Sequence, residues 1–388
     1  MQSKKIKIAY LCDYDAKDFR IFSGITSYTA DILEKQEEFE IHYIDHIEKS
    51  RNYFTLILGA IYSRFLRLFG KEYNCRWTLG TAKRYSKEVE KQLPKDTDVI
   101  FNMATAMALT YLKTDCKVVG YYESPIVNMI NYYSFFSNLV KSSVKNFTII
   151  EKKAFENSDL LIFSTDWAAN NAKKTYNFDP ARIKVIPWGP SMKTEYSDTE
   201  IKNIIDKRPT DKCNLLFVGV DWERKGCDTA LEIAKELHSQ NINVHLDIVG
   251  IREVPVPLPD YITSHGFVSK KTEEGINKLI ELFQKAHFFV LPTRADCAPV
   301  VLSEASSFAV PSVATKTGGV DCVVRDNVNG MTFALSDPPK KYADYIATIF
   351  NNREEYEKLC LSVFNDYKTR LNWDVAGKKL AEAIKAIL

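Results

Sequence analysis

The sequence predicts an α/β protein with two doubly wound, Rossmann-like parallel-sheet domains in series. Three observations support this fold class: the chain has 388 residues, short apolar runs alternate with longer amphipathic ones, and a polar segment interrupts the pattern near the middle. At roughly 150 residues per domain, the length suggests at least two domains. The apolar runs lack strict alternation, as expected of strands that helices cover on both faces.

Ten runs rich in β-branched and aromatic residues are predicted strands, five in each half. They are residues 7–13, 99–104, 117–123, 160–165 and 183–189, then 214–220, 243–250, 287–293, 311–317 and 330–335. The pattern predicts an N-terminal domain at 1–190, a linker at 191–212, a second domain at 213–370 and a terminal helix at 371–388. Ligands bind such sheets at the carboxyl ends of the strands, so we expect a cleft between the domains.

Net charge, cysteine spacing and the N-terminal residues indicate which partners and which compartment to expect. The formal net charge of +2 gives no general attraction to nucleic acid. The eight cysteines include no C-x-x-C pair, and the N-terminal residues run into a strand-like stretch without a signal-peptide pattern. We therefore expect reduced thiols and a cytoplasmic location, and we find no apolar segment long enough to cross a bilayer.

The segment RADCAPVVLSEA, residues 294–305, holds two carboxylates eight positions apart. Asp296 lies in the loop after a predicted strand, and Pro299 suits the first turn of the helix that follows. Glu304 lies about a turn and a half into that helix. For either acid alone, the alternative is an acid near a helix N-terminus or on a solvent-exposed helix face.

Two further loops of the same half suit an anion. Arg224, Lys225 and Gly226 follow the strand at 214–220, and adjacent cations at the edge of a parallel sheet suit a diphosphate. Gly318 and Gly319 open another helix, where bare backbone N–H groups can face an anion.

These motifs, in this order, resemble the donor-binding half of family 4 of the retaining glycosyltransferases, which have the GT-B fold. The motifs are F-V-G-x5-K-G at 217–226, acidic-x7-Glu at 296–304, and T-G-G followed by an acid and N-G at 317–330. The resemblance continues through S-G at 23–24, F-S-T-D-W at 163–167 and P-W-G at 187–189. The end of the chain, 371–388, is similar to the terminal helix that crosses back to the first domain in this fold.

The resemblance implies a role for each site residue. Asp296 would address the donor sugar, Glu304 the ribose hydroxyls, and Arg224 with Lys225 the leaving diphosphate, so that no metal and no cofactor is needed. The implied catalytic residues are Asp296, Arg224, Lys225 and Glu123. The implied donor-binding residues are Ser23, Gly24, Arg224, Lys225, Ala298, Pro299, Val300, Glu304, Gly318 and Gly319.

Four positions depart from the family pattern. The usual first Glu is Asp296, the usual mid-motif glycine is Pro299, and Val220 stands where Arg is frequent. Glu123 in YYESP occupies the place of a frequent histidine of the first domain. A strand-end acid that caps the next helix is the alternative role of Glu123.

Asp13 and Asp15 have the D-x-D form that binds metal in another fold, but they lie too early in the chain for that fold.

The expected function is transfer of a hexose from a UDP-, GDP- or other nucleotide sugar to a carbohydrate or lipid-linked acceptor, in cell-surface glycan or glycoconjugate synthesis. Two alternatives remain: a GT-B sugar-binding or partner subunit with weak catalysis, and a nucleotide-sugar epimerase.

Residues 51–76 mix bulky apolar residues with Arg64, Arg67, Lys71 and Arg76. A helix there suits either contact with the inner face of an anionic membrane or packing on its own sheet.

Overall fold

A computed structural model describes residues 4–388. The chain forms two compact units: unit 1 contains residues up to Ile186 together with Gly377–Leu388, and unit 2 is Pro187–Ala376. Each unit is built on a six-stranded sheet whose neighbouring strands all pair in parallel. The predicted fold class of two doubly wound parallel-sheet domains is confirmed.

The strands of unit 1 are β1 (Ile6–Leu11), β2 (Phe39–Ile44), β3 (Val99–Met103), β4 (Lys117–Tyr122), β5 (Leu160–Phe163) and β6 (Ile183–Val185). Those of unit 2 are β7 (Cys213–Val218), β8 (Val244–Val249), β9 (Ile262–Ser264), β10 (Phe288–Leu291), β11 (Ser312–Thr315) and β12 (Gly330–Phe333). All ten predicted strands are present. The prediction omitted β2 and β9, each of which is the edge strand of its sheet.

The first helices in the chain are α1 (Ile25–Glu34), α2 (Tyr53–Arg67), α3 (Leu79–Gln92), α4 (Ala106–Leu109), α5 (Lys141–Glu156) and α6 (Asp166–Tyr176). The helices of the second half are α7 (Asp198–Asp206), α8 (Cys227–Ser239), α9 (Glu273–Lys285), α10 (Val300–Ser307), α11 (Val320–Val323), α12 (Pro339–Phe350), α13 (Arg353–Arg370) and α14 (Trp373–Lys385). No helix within residues 4–388 combines the length and apolarity that a membrane span requires. All eight cysteines are free thiols.

In unit 1 the strand order is β2-β1-β3-β4-β5-β6. Helices on the two faces bury strands that are apolar on both sides; β3 and β5, for example, are buried throughout. The end of the chain belongs to this unit, where Lys385 of α14 forms an ion pair with Glu38 at 2.8 Å.

In unit 2 the strand order is β12-β11-β10-β7-β8-β9. Chain order therefore reverses between β7 and β10, which lie side by side. This is the topological switch point, where loops from neighbouring strands diverge and leave room for a ligand at the carboxyl ends. The loops that follow β7 and β10 are those that carry Lys225 and Asp296.

The segment 191–212, expected to be a linker, is part of unit 2. Ile201 and Ile205 of α7 are buried in the core of that unit. Arg208 is also buried, and its guanidinium donates to the carbonyl oxygens of Phe308 at 2.7 Å and Ala309 at 3.0 Å. Arg208 thus caps the end of α10, and the segment is packed structure.

Candidate active site

The loop after β7 brings two adjacent cations to the carboxyl end of the unit 2 sheet. Arg224 and Lys225 precede Gly226, which has a φ of 73° and is the N-cap of α8. A Cβ atom at Gly226 would lie 2.0 Å from the carbonyl oxygen of Pro292, so a larger residue does not fit. This close approach holds the loop after β7 against the loop after β10.

Lys225 and Asp296 form an ion pair between these two loops. Both side chains are largely buried, with 14 % of Lys225 and 6 % of Asp296 exposed. Nη1 of Arg224 donates to the carbonyl oxygen of Ala295 at 3.0 Å, next to the acid. The structure therefore brings the two predicted cations and the first predicted acid together at the switch point of unit 2.

Arg294 stabilises the contact between α8 and the loop after β10. Its guanidinium donates to both carboxylate oxygens of Asp228, at 2.9 and 2.7 Å. The hydrogen bond to Asp228 raises the pKa of Arg294. Because Asp228 lies in the first turn of α8, this bidentate pair fixes the start of α8 to the loop after β10. The sequence analysis did not assign a role to either residue, because the partners lie 66 positions apart.

Glu304 is buried inside unit 2, with 1 % of its surface exposed. The alternative of an acid on a solvent-exposed helix face is therefore wrong for this residue. Its Oε1 atom is paired with the Lys270 ammonium group and accepts a hydrogen bond from the Ser191 amide at 3.2 Å. Its Oε2 atom is buried without a hydrogen-bond partner among residues 4–388. A buried carboxylate oxygen in this state is stabilised when a ligand hydroxyl donates to it.

Sequence reasoning did not identify Lys270 and Ser191 as neighbours of Glu304. Lys270 follows β9, one of the two strands that the prediction omitted, and is 34 positions from Glu304. Ser191 contributes only its backbone amide, so its side-chain type carries no signal.

The glycine pair before α11 differs in part from the prediction. Gly318 has a φ of 56°, in the left-handed region that favours glycine. The Gly319 amide donates to the carbonyl oxygen of Asp296 at 3.1 Å, so it does not face an anion as we expected. Instead, this hydrogen bond fixes the backbone at Asp296 from a third loop.

Ala298, Pro299 and Val300 connect Asp296 to α10. Pro299 is the N-cap of α10 rather than a residue of its first turn, and Val300 is the first helical residue. Ala298 is buried. Since proline has no N–H, Pro299 offers only its carbonyl and ring to a ligand.

A cavity of 420 Å³ lies beyond the carboxyl ends of β7, β8 and β9. Val220, Trp222 and Phe267 line it together with residues 250–253. The Arg252 guanidinium lies over the Phe267 ring, 5.2 Å from its centroid. An aromatic ring beside an open cavity suits stacking on a planar heterocycle. The sequence analysis did not predict this cavity, because its lining comes from three separate loops.

Ser23 and Gly24 lie at the N-terminus of α1 in unit 1. Phe22, Ser23 and Gly24 have φ values of 51°, 55° and 79°, so three consecutive residues have left-handed backbone. Non-glycine residues rarely adopt this conformation, and such strain is concentrated in ligand-binding loops. Donor binding by Ser23 and Gly24 stays a prediction.

Glu123 follows β4, and its carbonyl oxygen accepts a hydrogen bond from Ser164 Oγ at 3.0 Å. The next residues are held by Glu151 of α5, whose carboxylate accepts from the Ile126 amide at 2.6 Å. Burial raises the pKa of Glu151 to about 7. The loop that carries Glu123 is therefore fixed to α5, and the role of Glu123 near a sugar stays a prediction.

Asp13 accepts a hydrogen bond from Thr105, which lies in the loop after β3. Burial raises the pKa of Asp13 to about 6. Within residues 4–388, no three His, Cys, Asp or Glu side chains are grouped so that they could hold a metal ion.

Comparison with known proteins agrees with the geometry of unit 2. Residues 212–352 match the family model described as glycosyl transferases group 1. The D-inositol 3-phosphate glycosyltransferase of Xylanimonas cellulosilytica is 24 % identical over 252 residues, which cover 60 % of this chain and 58 % of that protein. Its counterpart in Mycolicibacterium paratuberculosis is 28 % identical over 203 residues, which cover 49 % of this chain and 44 % of that protein. The chain thus matches less than two thirds of the length of these curated relatives.

Among solved structures, sucrose-phosphate synthase from Thermosynechococcus elongatus has a TM-score of 0.70 and 14 % identity, over 99 % of both chains. Residues 212–352 thus match the glycosyl transferase group 1 family, and the chain as a whole has the GT-B fold. Anabaena HepE in complex with UDP and glucose resembles this chain with a TM-score of 0.61 and 15 % identity, over 98 % of this chain and all of that one. At such identities the structures establish the fold alone.

Proposed function

We propose that this protein is a retaining glycosyltransferase that moves a hexose from a nucleotide diphosphate sugar to a carbohydrate or lipid-linked acceptor. The observation that carries the proposal is the Lys225–Asp296 pair beside Arg224, at the switch point of a domain that matches the group 1 model. A structural neighbour bound to UDP-glucose supports the donor class, and relatives named as D-inositol 3-phosphate glycosyltransferases support glycosyl transfer. WaaG, a neighbour with a TM-score of 0.60 involved in lipopolysaccharide biosynthesis, supports a role in cell-surface glycan synthesis.

The leaving group is the nucleotide diphosphate. As the bond between the anomeric carbon and the phosphate oxygen breaks, its electron pair passes to that oxygen, where Arg224 and Lys225 stabilise the developing charge. Lys225 has three N–H donors, so it can hold Asp296 and a phosphate oxygen together. The acceptor hydroxyl attacks from the face that the phosphate leaves, and its proton passes to the leaving oxygen. Because the protein supplies the cations, the proposed reaction requires no metal and no cofactor.

Glu304 anchors the nucleotide in this proposal. Its Oε2 atom accepts from the ribose hydroxyls, while Lys270 and Ser191 hold the other oxygen in place. The base stacks in the 420 Å³ cavity beside Phe267. Asp296 orients the sugar, and Glu123 is the further catalytic residue of this proposal. The remaining donor contacts come from Ser23, Gly24, Ala298, Pro299, Val300 and Gly318.

We also propose a cytoplasmic protein that contacts the inner face of a membrane through residues 51–76, which is where a lipid-linked acceptor would be presented. The large apolar side chains of α2 are exposed, which argues against the alternative of a helix that packs its apolar face on its own sheet.

The test is to incubate the protein with a panel of UDP- and GDP-sugars and candidate glycan and lipid acceptors, and to follow nucleotide release and product formation. One donor should give nucleotide release that depends on an acceptor, and NMR of the product should show the donor's anomeric configuration retained. An inverted product would overturn the mechanism. Tight nucleotide binding without transfer would favour the partner-subunit alternative, and conversion of the donor sugar into its epimer would favour an epimerase.

A further inference from the structure

Helix α2 presents its apolar side chains to solvent. Between Tyr53 and Phe69, nine large apolar or aromatic side chains are exposed, with exposed fractions from 49 % at Tyr62 to 79 % at Leu68. Phe54, Ile57, Ile61, Phe65 and Leu68 recur at helical spacing, so they share one face. Soluble proteins rarely expose contiguous apolar surface of this kind, and where they do it marks an interaction site.

The opposite face of α2 attaches the helix to unit 1 through small residues. Ser63 is the buried residue of the helix, and a Cβ atom at Gly59 would lie 2.4 Å from the Cys75 Cβ. The Asn52 side chain accepts from the Thr55 amide at 3.2 Å and caps the first turn. The helix therefore packs on unit 1 through the face that carries Gly59 and Ser63, and the face with the large apolar side chains points to solvent.

A basic cavity of 670 Å³ opens along one flank of α2. Arg64, Arg67 and Arg76 line it, together with one acid, Glu72. Arg67 is paired with Glu72 at 2.9 Å. Arg64 and Arg76 make no ion pair within 4.0 Å among residues 4–388, so the cavity keeps an excess of positive charge. Guanidinium groups in this arrangement suit a phosphate, and the volume is within the range of ligand sites.

We propose that α2 lies in the interface of an anionic phospholipid bilayer; this inference rests on the membrane contact proposed above for residues 51–76 and names the lipid that would bind. Its apolar face enters the acyl-chain boundary, and a lipid phosphate binds between Arg64 and Arg76. Aromatic residues such as Phe54, Tyr62 and Phe65 suit the depth of the headgroups. The pairing of an apolar face with an adjacent basic cavity fits a lipid, which carries both chemistries in one molecule.

Charge argues against a second copy of the chain as the occupant. A symmetric dimer through the apolar face would place α2 against α2, and α2 contains no acidic residue that could pair with Arg64 or Arg76. A soluble phosphate would use the cavity but leave the apolar face in water.

The test is flotation of the full chain, without donor sugar, with vesicles of phosphatidylcholine alone and with an equal mixture of phosphatidylcholine and phosphatidylglycerol. The chain should bind the mixed vesicles much more tightly. Arg64→Gln with Arg76→Gln should weaken that binding by about ten- to thirtyfold, since each cation contributes near an anionic surface. Ile61→Ser with Phe65→Ser should abolish it. Lys83→Gln with Lys87→Gln on α3 removes the same charge from exposed sites and should change binding little.

Four results would overturn the proposal. Equal binding to both vesicle types, or no vesicle binding by the native chain, would exclude an anionic-lipid site. Binding of inorganic phosphate in the cavity that Ile61→Ser with Phe65→Ser leaves unchanged, without vesicle binding, would assign a soluble anion. A dimer in sedimentation that the same two substitutions dissociate would assign a second copy. Circular dichroism of each variant reports whether the fold is retained. Because no donor is present, none of these results bears on the proposed transfer reaction.

Discussion

The two units bury carboxylates in different ways. In unit 2, Asp296 and Glu304 each lie against a lysine ammonium group, Lys225 and Lys270. In unit 1, Glu151 is buried to 3 % exposure among neutral donors, the Tyr176 hydroxyl and the Ile126 amide. Burial raises the pKa of Glu151 to about 7.

This difference distinguishes a carboxylate that can bind a ligand from one that only stabilises the fold. A carboxylate oxygen without a partner can accept hydrogen bonds from sugar or ribose hydroxyls, and the buried Oε2 atom of Glu304 has no partner among residues 4–388. Both acceptor oxygens of Glu151 are used to hold the loop at Ile126 and the side chain of Tyr176. Although Glu304 and Glu151 are both buried, we expect substitution of Glu304 to change activity and substitution of Glu151 to change stability.

The largest effect is expected at Glu304. Glu304→Ala should lower kcat/KM by at least about a hundredfold, because it removes charge-assisted hydrogen bonds of roughly 1.5 to 3 kcal/mol each to two ribose hydroxyls. The loss should appear in kcat as well as KM, since the anchor also positions the reacting phosphate. Steady-state kinetics with the cognate donor measure this.

Two variants sharpen that result. Glu304→Gln keeps an acceptor oxygen and should lose less activity than Glu304→Ala. Lys270→Ala removes only the partner of the carboxylate and should lose less again. Normal kinetics for Glu304→Ala would mean that the buried oxygen faces no ligand.

The next effect is expected from the cations of the switch point. Arg224→Ala combined with Lys225→Ala should weaken binding of the nucleotide diphosphate by about ten- to a hundredfold, because a charge-assisted clamp is lost. Isothermal titration calorimetry measures the change. Replacing Lys235 and Lys285, two exposed lysines of the same unit, removes equal charge and should leave affinity almost unchanged. Unchanged affinity in the first variant would contradict the diphosphate assignment.

A smaller effect is expected at Glu151 and concerns stability. Its pKa is raised from 4.5 to about 7 in the folded chain, so its contribution is fully present below the unfolded pKa and is lost as pH rises through about 7. The free energy of unfolding of unit 1 should therefore fall by about 2 kcal/mol from this group between about pH 5 and pH 7. Urea unfolding of the native chain and of Glu151→Gln measures the difference, which should shrink in the variant.

A matched control for this experiment lies on the same helix. Glu156 of α5 is exposed, and Glu156→Gln should leave the pH dependence as in the native chain. An identical pH dependence in native chain and Glu151→Gln would show that this acid is not the source.

The smallest effect is expected from removal of metal. Excess EDTA should leave transfer unchanged, because Arg224 and Lys225 supply the positive charge at the leaving group. Loss of activity that manganese restores would contradict the proposed account and would make Asp13 and Asp15 the first candidates for ligands.

The predicted strands and the two omitted ones show what local sequence can indicate. β10 has four buried residues, Phe288–Leu291, and such runs are recognisable without a structure. β2 is buried only at its two ends and has exposed residues at Glu40 and His42, while β9 has three residues. Both are edge strands, which have a neighbour on only one side and so need less apolar sequence.

The candidate site was predictable where its chemistry is local. Arg224, Lys225, Asp296 and Glu304 stand at the ends of strands or early in helices, and parallel strands bring their carboxyl ends to one edge. The hydrogen bond from the Gly319 amide to the carbonyl oxygen of Asp296 was not predictable from the sequence, because it depends on the exact spacing of two loops.

The sequence by itself determined the two-domain α/β architecture, the strand-end positions of the acids and cations, and the mixture of apolar and basic residues in 51–76. These features follow from periodicity and residue type, which act over a few positions. The tertiary structure decided which charges meet: Lys225 with Asp296 across 71 positions, and Lys270 with Glu304 across 34. It also decided that α2 turns its apolar side outward. The physical reason is that ion pairing and burial depend on what packs against a residue, and packing is set by segments distant in the chain.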